Sequence, residues 1–448
     1  VFWFLYNLVF HAVYILMLPH FLLRMRRRGG YRQGFFQRLF RLSEGELQRV
    51  SEGRKLWVHA VSVGEVSVGL AFMNIWRERH PEVEFLLTVN TSTGRAIAKE
   101  KLGERDVLLY PPVDSPWILR RLLKSVEVEA LVLVETEMWP NLLRQLHRRD
   151  IPVMLLNGRI SDHSYRRLRK LPFYTRRLYP LVSLYAMQSR ADADRAVELG
   201  APKERVKVMH SSKYDVAVRN QEEEADRKSR LIQSGFMTMN SILLLGSSTW
   251  PGEEKVLMQV YQRLRGEFPE LRLILVPRHF ERKKEVVQEC TLLDQKVVCW
   301  SDFPEEVPDE TAKEADLLIV DTTGELVHFT GIADRIFVGK SLFRSEGQNP
   351  IEAANAGKFL VSGPGMDNFR QVIRELRDAD AVKAAVDGES LYQILRDSLK
   401  DPTAAHEQGA RAQKLVAECK GGLERSAGEL EGLVCSSLRP EGQPADGP

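Results

Sequence analysis

The residues best placed to do chemistry lie in short polar loops that follow apolar, strand-like runs. The first is Ser62-Val63-Gly64-Glu65, between a predicted strand at 56–61 and a helix predicted from 66 to 76. A carboxylate where a parallel strand meets the next helix can act as a general base toward a substrate hydroxyl, or it can simply favour the positive end of the helix dipole. Position alone leaves both open. In the second half, Gly246-Ser247-Ser248-Thr249 offers N–H groups and hydroxyls to an anion, or caps a helix with no ligand. Pro277-Arg278-His279 presents a guanidinium suited to phosphate or carboxylate, or to a surface ion pair. In Asp321-Thr322-Thr323-Gly324-Glu325-Leu326 the glycine allows a close backbone approach and Glu325 opens a helix, although capping explains the run equally well. Gly339-Lys340-Ser341-Leu342 leads to Glu346-Gly347-Gln348-Asn349-Pro350-Ile351-Glu352, where an amide and a carboxylate stand at capping-box spacing beside a glycine loop. That cluster reads as a nucleotide or sugar grip.

The elements that must position these loops follow from hydrophobic periodicity. Short apolar runs at 56–61, 85–89, 107–110, 130–134, 153–156, 184–187 and 206–209 alternate with amphipathic helical patterns, as in repeated β-α units around a parallel sheet. The strongly charged stretch 221–230 reads as a hinge, and the alternation restarts at 242–245, 273–276, 296–299, 317–320, 335–338 and 359–361. The expected architecture is two similar α/β halves with a cleft between them. From 438 the chain has too little apolar content to fold.

Residues 1–23 contain no Asp, Glu, Lys or Arg. A helix of that length spans roughly 34 Å, enough for a hydrocarbon core of about 30 Å. Arg24, Arg26, Arg27, Arg28 and Arg32 follow directly, so the positive-inside rule puts the remainder in the cytoplasm. A helix lying in the interface is the alternative, because Asn7, His11, Pro19 and His20 dilute the hydrophobicity.

The net charge of +3 gives no reason to expect a nucleic-acid partner. Four scattered cysteines suggest neither a disulfide framework nor a structural zinc site, and no metal site is expected. The chain lacks a Walker A loop, a Gly-x-Gly-x-x-Gly after a strand, a His-Glu-x-x-His and a Gly-x-Ser-x-Gly.

A resemblance covers nearly the whole chain. Trp57-Val58-His59-Ala60-Val61-Ser62-Val63-Gly64-Glu65, Glu135-Thr136-Glu137-Met138-Trp139-Pro140-Asn141-Leu142 and Asn157-Gly158-Arg159-Ile160-Ser161 resemble the N-terminal half of the 3-deoxy-D-manno-octulosonic acid (Kdo) transferase family. Pro251-Gly252-Glu253-Glu254, Pro277-Arg278-His279, Gly324-Glu325-Leu326, Asn349-Pro350-Ile351-Glu352 and Gly363-Pro364 with Asn368-Phe369 resemble its donor-binding loops, in the same order. The chain departs from the pattern at Gly339-Lys340-Ser341 (commonly Gly-Gly-Ser), at Gln348 (commonly His), and at His210-Ser211-Ser212-Lys213 (Gly-Asn-x-Lys).

The resemblance implies an inverting glycosyltransferase of the GT-B fold, with two Rossmann-like domains behind an N-terminal anchor. It would move Kdo from CMP-Kdo to a lipid A precursor at the inner membrane, on the cytoplasmic side, without metal or cofactor. The implied division is an anchor at 1–28, an acceptor domain at 29–215, a linker at 216–238, a CMP-Kdo domain at 239–437 and a disordered tail at 438–448. Glu65 is then the base, with Glu135, Glu137, Arg159 and Lys213 positioning the acceptor, although Lys213 also reads as an exposed linker lysine. Ser248, Arg278, His279, Gly324, Glu325, Lys340, Asn349 and Glu352 would hold the donor. The basic, aromatic stretch 165–179 suits anionic lipid headgroups or acceptor phosphates, or is a solvated helix face. A GT-B enzyme with another nucleotide sugar, or a non-catalytic sugar-nucleotide-binding membrane protein, are the alternatives.

Overall fold

The computed structural model describes residues 2–28, 34–215, 220–303 and 310–437. The expected tail at 438–448, Arg32 and residues 216–219 of the expected linker lie outside them.

The first α/β unit holds seven parallel strands: β1 (Arg54–Ala60), β2 (Glu84–Val89), β3 (Val107–Leu109), β4 (Glu127–Val134), β5 (Val153–Gly158), β6 (Leu184–Met187) and β7 (Val206–Val208). Their order is β3-β2-β1-β4-β5-β6-β7. The strands are buried on both faces, which is why they read as nearly continuous apolar runs. Along β1 and β4 the side chains still alternate: Trp57, Leu131 and Leu133 enter one core, and Leu56, Val58, Ala130 and Val132 enter the other.

The second unit has β8 (Ile242–Thr249), β9 (Leu271–Pro277), β10 (Val297–Cys299), β11 (Leu317–Ile319), β12 (Arg335–Val338), β13 (Phe359–Ser362) and β14 (Lys383–Ala384), all parallel, in the order β10-β11-β9-β8-β12-β13-β14. The two-residue β14 was not expected from sequence; it is too short to carry a periodic signal.

Two boundaries differ from the sequence expectation. The C-terminal helix Gly422–Ser437 belongs to the first unit, not the second. Leu423, Ala427, Leu430 and Val434 enter the core that contains Phe72 and Trp76, each large apolar side chain contributing roughly 1.5–3 kcal/mol. Arg79 and His80 pair with Glu424 and Glu431 alongside. The charged stretch expected as a hinge forms the helix Gln221–Gln233, capped by Asn220, within the second unit. It packs on the helix Leu326–Ile332 with Leu231 fully buried. Its acidic first turn favours the helix dipole, so the charge that suggested a linker supports a helix instead.

The N-terminal helix Phe2–Arg28 is, by length and composition, apolar enough to cross a membrane. Tyr6, Asn7 and His11 on it bond to residues of the sheet-bearing part of the first unit. Tyr6 Oη donates to Asp114 at 3.2 Å, Asn141 Nδ2 donates to Asn7 Oδ1 at 2.8 Å, and His11 Nε2 lies 3.2 Å from Ser115 Oγ. Phe4, Leu5, Leu8, Val9, Ile15 and Leu16 are exposed. Asn7 and His11, two of the side chains that dilute the hydrophobicity in sequence, are thus spent on the protein, leaving an apolar outer face. The stretch 165–179 folds into parts of the helices Asp162–Leu168 and Pro172–Leu178, with Arg177 over the Phe2 ring at 5.1 Å.

Candidate functional site

In open α/β sheets, ligands bind beyond the carboxyl ends of the strands where the strand order reverses. In the first unit that point lies between β1 and β4, and in the second between β8 and β12. A polar cluster stands at each.

Glu65 occupies the first turn of the helix Val63–Arg79, which continues directly from β1. Ser62 is the N-cap and accepts from Glu65 N at 3.3 Å; the Glu65 carboxylate accepts from Ser62 N at 3.3 Å and from Val61 N at 2.8 Å. A capping box therefore forms, so the helix-start role is present in full. The same bonds aim the carboxylate, and an ionised carboxylate offers about four lone-pair sites, leaving room for a substrate proton.

Glu135 follows β4 in a left-handed conformation, φ 65°. Burial raises its pKa, the charge of Glu65 raises it further, and Lys213 and Arg159 oppose this. Burial followed by Glu65 also raises Glu137, against a hydrogen bond from Trp139 Nε1 at 3.2 Å. Lys213 is lowered by burial; Glu135 pulls it up and Arg159 pushes it down. All five residues expected for this half, on loops after β1, β4, β5 and β7, therefore act on one another. Half-buried beside Glu135, Lys213 is not an exposed linker lysine.

Two positioning residues were missed in sequence. Asn157, at φ 56°, accepts Ser212 N on its Oδ1 at 3.0 Å and Gln188 Nε2 on its backbone oxygen at 2.9 Å, fixing the loop that carries Lys213. The signal available was its type, since asparagine tolerates the left-handed region better than most residues. Asp215 accepts from Gly421 N at 2.6 Å and Leu423 N at 2.8 Å, tying that loop to the C-terminal helix.

In the second unit, β8 bulges at Ser248, which has φ 51°. Gly339 packs so tightly there that a Cβ would lie 2.4 Å from the Ser248 carbonyl oxygen. Glu253, also missed as a site-building residue, accepts four backbone N–H groups: Trp250 (2.9 Å), Lys340 (2.7 Å), Ser341 (2.9 Å) and Leu342 (3.0 Å). It thereby clamps the loop after β12 to the end of β8. Lys340 Nζ lies 4.6 Å from the centre of the Trp250 ring and 3.5 Å from Glu346, and His279 meets Trp250 edge-on at 5.2 Å. Burial raises Glu352, while Asn349 Nδ2, donating at 3.2 Å, and the charge of Arg278 lower it. Arg278, His279, Lys340, Asn349 and Glu352 thus gather around the ends of β8, β9 and β12. The Asn349–Glu352 capping box does not form: Pro350 is the N-cap, and Asn349 Oδ1 accepts from Ile351 N at 3.1 Å in an Asx turn.

Gly324 and Glu325 sit apart from this group. Glu325 takes two hydrogen bonds from Arg227, at 3.0 and 3.2 Å, joining the helices Gln221–Gln233 and Leu326–Ile332. Gly324, at φ 88°, has open space where a side chain would stand. Past the carboxyl ends of β10 and β11, Cys299, Asp302 and Asp321 place possible ligand atoms within 4.8 Å of one another. Lys283 Nζ lies 2.8 Å from Asp302 and 2.7 Å from Asp321, so an ammonium group stands where a cation would.

Residues 32–216, which contain the first cluster, match the family described as 3-deoxy-D-manno-octulosonic-acid transferase (kdotransferase). The chain is 28% identical over 371 residues to the 3-deoxy-D-manno-octulosonic acid transferase of Haemophilus influenzae, covering 83% of this chain and 85% of the relative. With the enzyme of that name from Bordetella pertussis it shares 29% over 419 residues, 91% of this chain and 94% of the relative. The chain is similar to the Kdo transferase family over most of its length.

A solved UDP-N-acetylglucosamine 2-epimerase is similar in fold, with a TM-score of 0.55 and 13% identity over 88% of this chain and 99% of that one. Identity so low speaks for the fold alone, and the fold class is the expected α/β, GT-B one. The departures from the Kdo transferase pattern acquire a physical meaning here. Lys340 and His210, which replace glycines of that pattern, have φ of 56° and 66°. At both positions the backbone lies in the region that favours glycine although the residue is not glycine.

Proposed function

We propose that this chain transfers Kdo from CMP-Kdo to the lipid A precursor lipid IVA in lipopolysaccharide core biosynthesis. The reading is carried by the cluster of Glu65, Glu135, Glu137, Arg159 and Lys213 at the first switch point, inside the segment that matches the family. In this proposal the first unit binds the acceptor and the second binds the donor. Glu65 removes the proton from the acceptor hydroxyl as its oxygen attacks the anomeric carbon and the CMP phosphate leaves, inverting that centre. Lys213 and Arg159 hold an anionic group of the bound substrates, with Glu135 fixing Lys213. In the second unit, Arg278, Lys340 Nζ and the Ser248 hydroxyl meet the CMP phosphate, while His279, Asn349 and Glu352 hold the nucleoside. Charge on the leaving phosphate is met by side-chain cations and a hydroxyl, so the proposed reaction takes no metal and no cofactor. The N-terminal helix anchors the enzyme in the inner membrane, with both units on the cytoplasmic side.

CMP release from CMP-Kdo, measured with and without a tetra-acylated lipid A precursor, tests this reading. Release dependent on that acceptor supports it. Release with a nucleoside-diphosphate sugar in place of CMP-Kdo would replace it with a GT-B transferase of different donor.

A further inference from the structure

The helix Phe2–Arg28 borders a groove on the first unit that the proposed chemistry does not use. Its volume is about 630 Å³, and Trp3, Phe4, Leu8, Trp117, Arg120 and Arg144 are among its lining residues. The apolar wall is open: Phe4, Leu8 and Trp117 are 75%, 58% and 68% exposed. It shares no lining residue with the Glu65 cluster.

Two of its lining residues, Arg120 and Arg144, are close enough for their charges to interact. Arg144 stacks over the Trp3 ring at 4.6 Å, and burial, then the charges of Arg148 and Arg120, lower its pKa. Among the described residues none of these three arginines forms a salt bridge with a carboxylate. Like charges without a counter-charge are relieved by an anion, and guanidinium groups bind phosphate oxygens in pairs. Cations lining an apolar groove, beside a helix whose exposed side chains are apolar, match the charged head and acyl tail of a lipid.

We propose that this groove binds one anionic phospholipid of the bilayer, its acyl chain along Trp3, Leu8 and Trp117 and its phosphate on Arg120 and Arg144. The lipid would brace the helix against the first unit and fix how that unit sits on the membrane. This rests on reading the N-terminal helix as membrane-seated.

The test uses full-length protein and vesicles of phosphatidylcholine, alone or mixed equally with phosphatidylglycerol. Sedimentation reports membrane association, and native mass spectrometry after mild detergent extraction identifies the retained lipid. Wild type should sediment with vesicles and retain phosphatidylglycerol over phosphatidylcholine. In Arg120→Gln/Arg144→Gln that preference should fall about 30-fold, roughly 5-fold for each arginine. Sedimentation and turnover of detergent-dispersed acceptor should persist, and Arg120→Lys/Arg144→Lys should keep most of the preference. An unchanged preference in the Gln variant overturns the proposal. So does a raised acceptor KM with lipid retention intact, which would give the groove to the acceptor, or release of the lipid by inorganic phosphate alone. Wild type that sediments with no vesicle would sink the membrane reading itself, whereas sedimentation without lipid preference sinks only the groove.

Discussion

Glu65 and Glu135 follow β1 and β4, which are distant in sequence and adjacent in the sheet, and the charge of Glu65 raises the pKa of Glu135. One switch point thus brings together a carboxylate aimed by backbone N–H groups and a second, half-buried carboxyl balanced by Lys213 and Arg159.

Glu65→Gln separates the two roles of that residue. As the base, its loss lowers transfer by about 10²–10⁴ with CMP affinity unchanged. As a helix start only, the variant would lose roughly 0.5–2 kcal/mol of stability and keep its turnover. Rate, CMP affinity and melting temperature on one preparation decide, and near wild-type transfer would remove Glu65 from the mechanism.

Arg278→Ala should weaken CMP binding by about 1.5–3 kcal/mol in calorimetry, with little change in melting temperature because the side chain is exposed. Glu325→Gln should do the reverse, since it breaks the pair with Arg227 between two packed helices. Equal CMP affinity in the Arg278 variant and wild type would move the donor phosphate elsewhere.

Glu253→Gln replaces an acceptor of four N–H groups with an amide whose nitrogen faces donors. Stability should fall by roughly 2–4 kcal/mol, and CMP binding should weaken as the loop after β12 loosens. A variant with wild-type melting and affinity would show that the clamp is dispensable.

Burial raises the pKa of Asp114 to about 7, against hydrogen bonds from Asn141 N, Leu142 N and Tyr6 Oη. A carboxyl whose folded pKa exceeds its unfolded one binds more protons when folded. Its contribution is complete below about pH 4 and is lost as pH rises through about 7, on the order of 4 kcal/mol at most. Denaturant titrations across that range should show stability falling with pH in wild type and a flatter profile in Asp114→Asn. Parallel profiles would contradict the assignment.

His210→Gly should raise stability by about 1 kcal/mol, because the left-handed conformation costs a side-chain-bearing residue and not glycine. Lys340→Gly should gain less, since it also gives up the contact with Trp250. Urea midpoints of the two variants check the order.

Sequence alone determined the local elements and the chemistry carried on their loops. Apolar runs such as 56–61 and 130–134 become strands because burial on both faces imposes their composition, and Ser62-Val63-Gly64-Glu65 is a helix start whatever lies around it. What only the tertiary structure decided is non-local. No residue of β1 encodes that β4, rather than β2 alone, lies beside it, so the meeting of Glu65 with Glu135 and Lys213 could be expected from the family resemblance but not from periodicity. The return of Gly422–Ser437 to the first unit is fixed by the apolar face that Phe72 and Trp76 leave to be covered. The charged 221–233 segment became a packed helix through Leu231 and the Arg227–Glu325 pair, partners that a local window cannot see. Glu253 is a clamp only because strand order brings the loop after β12 beside the end of β8.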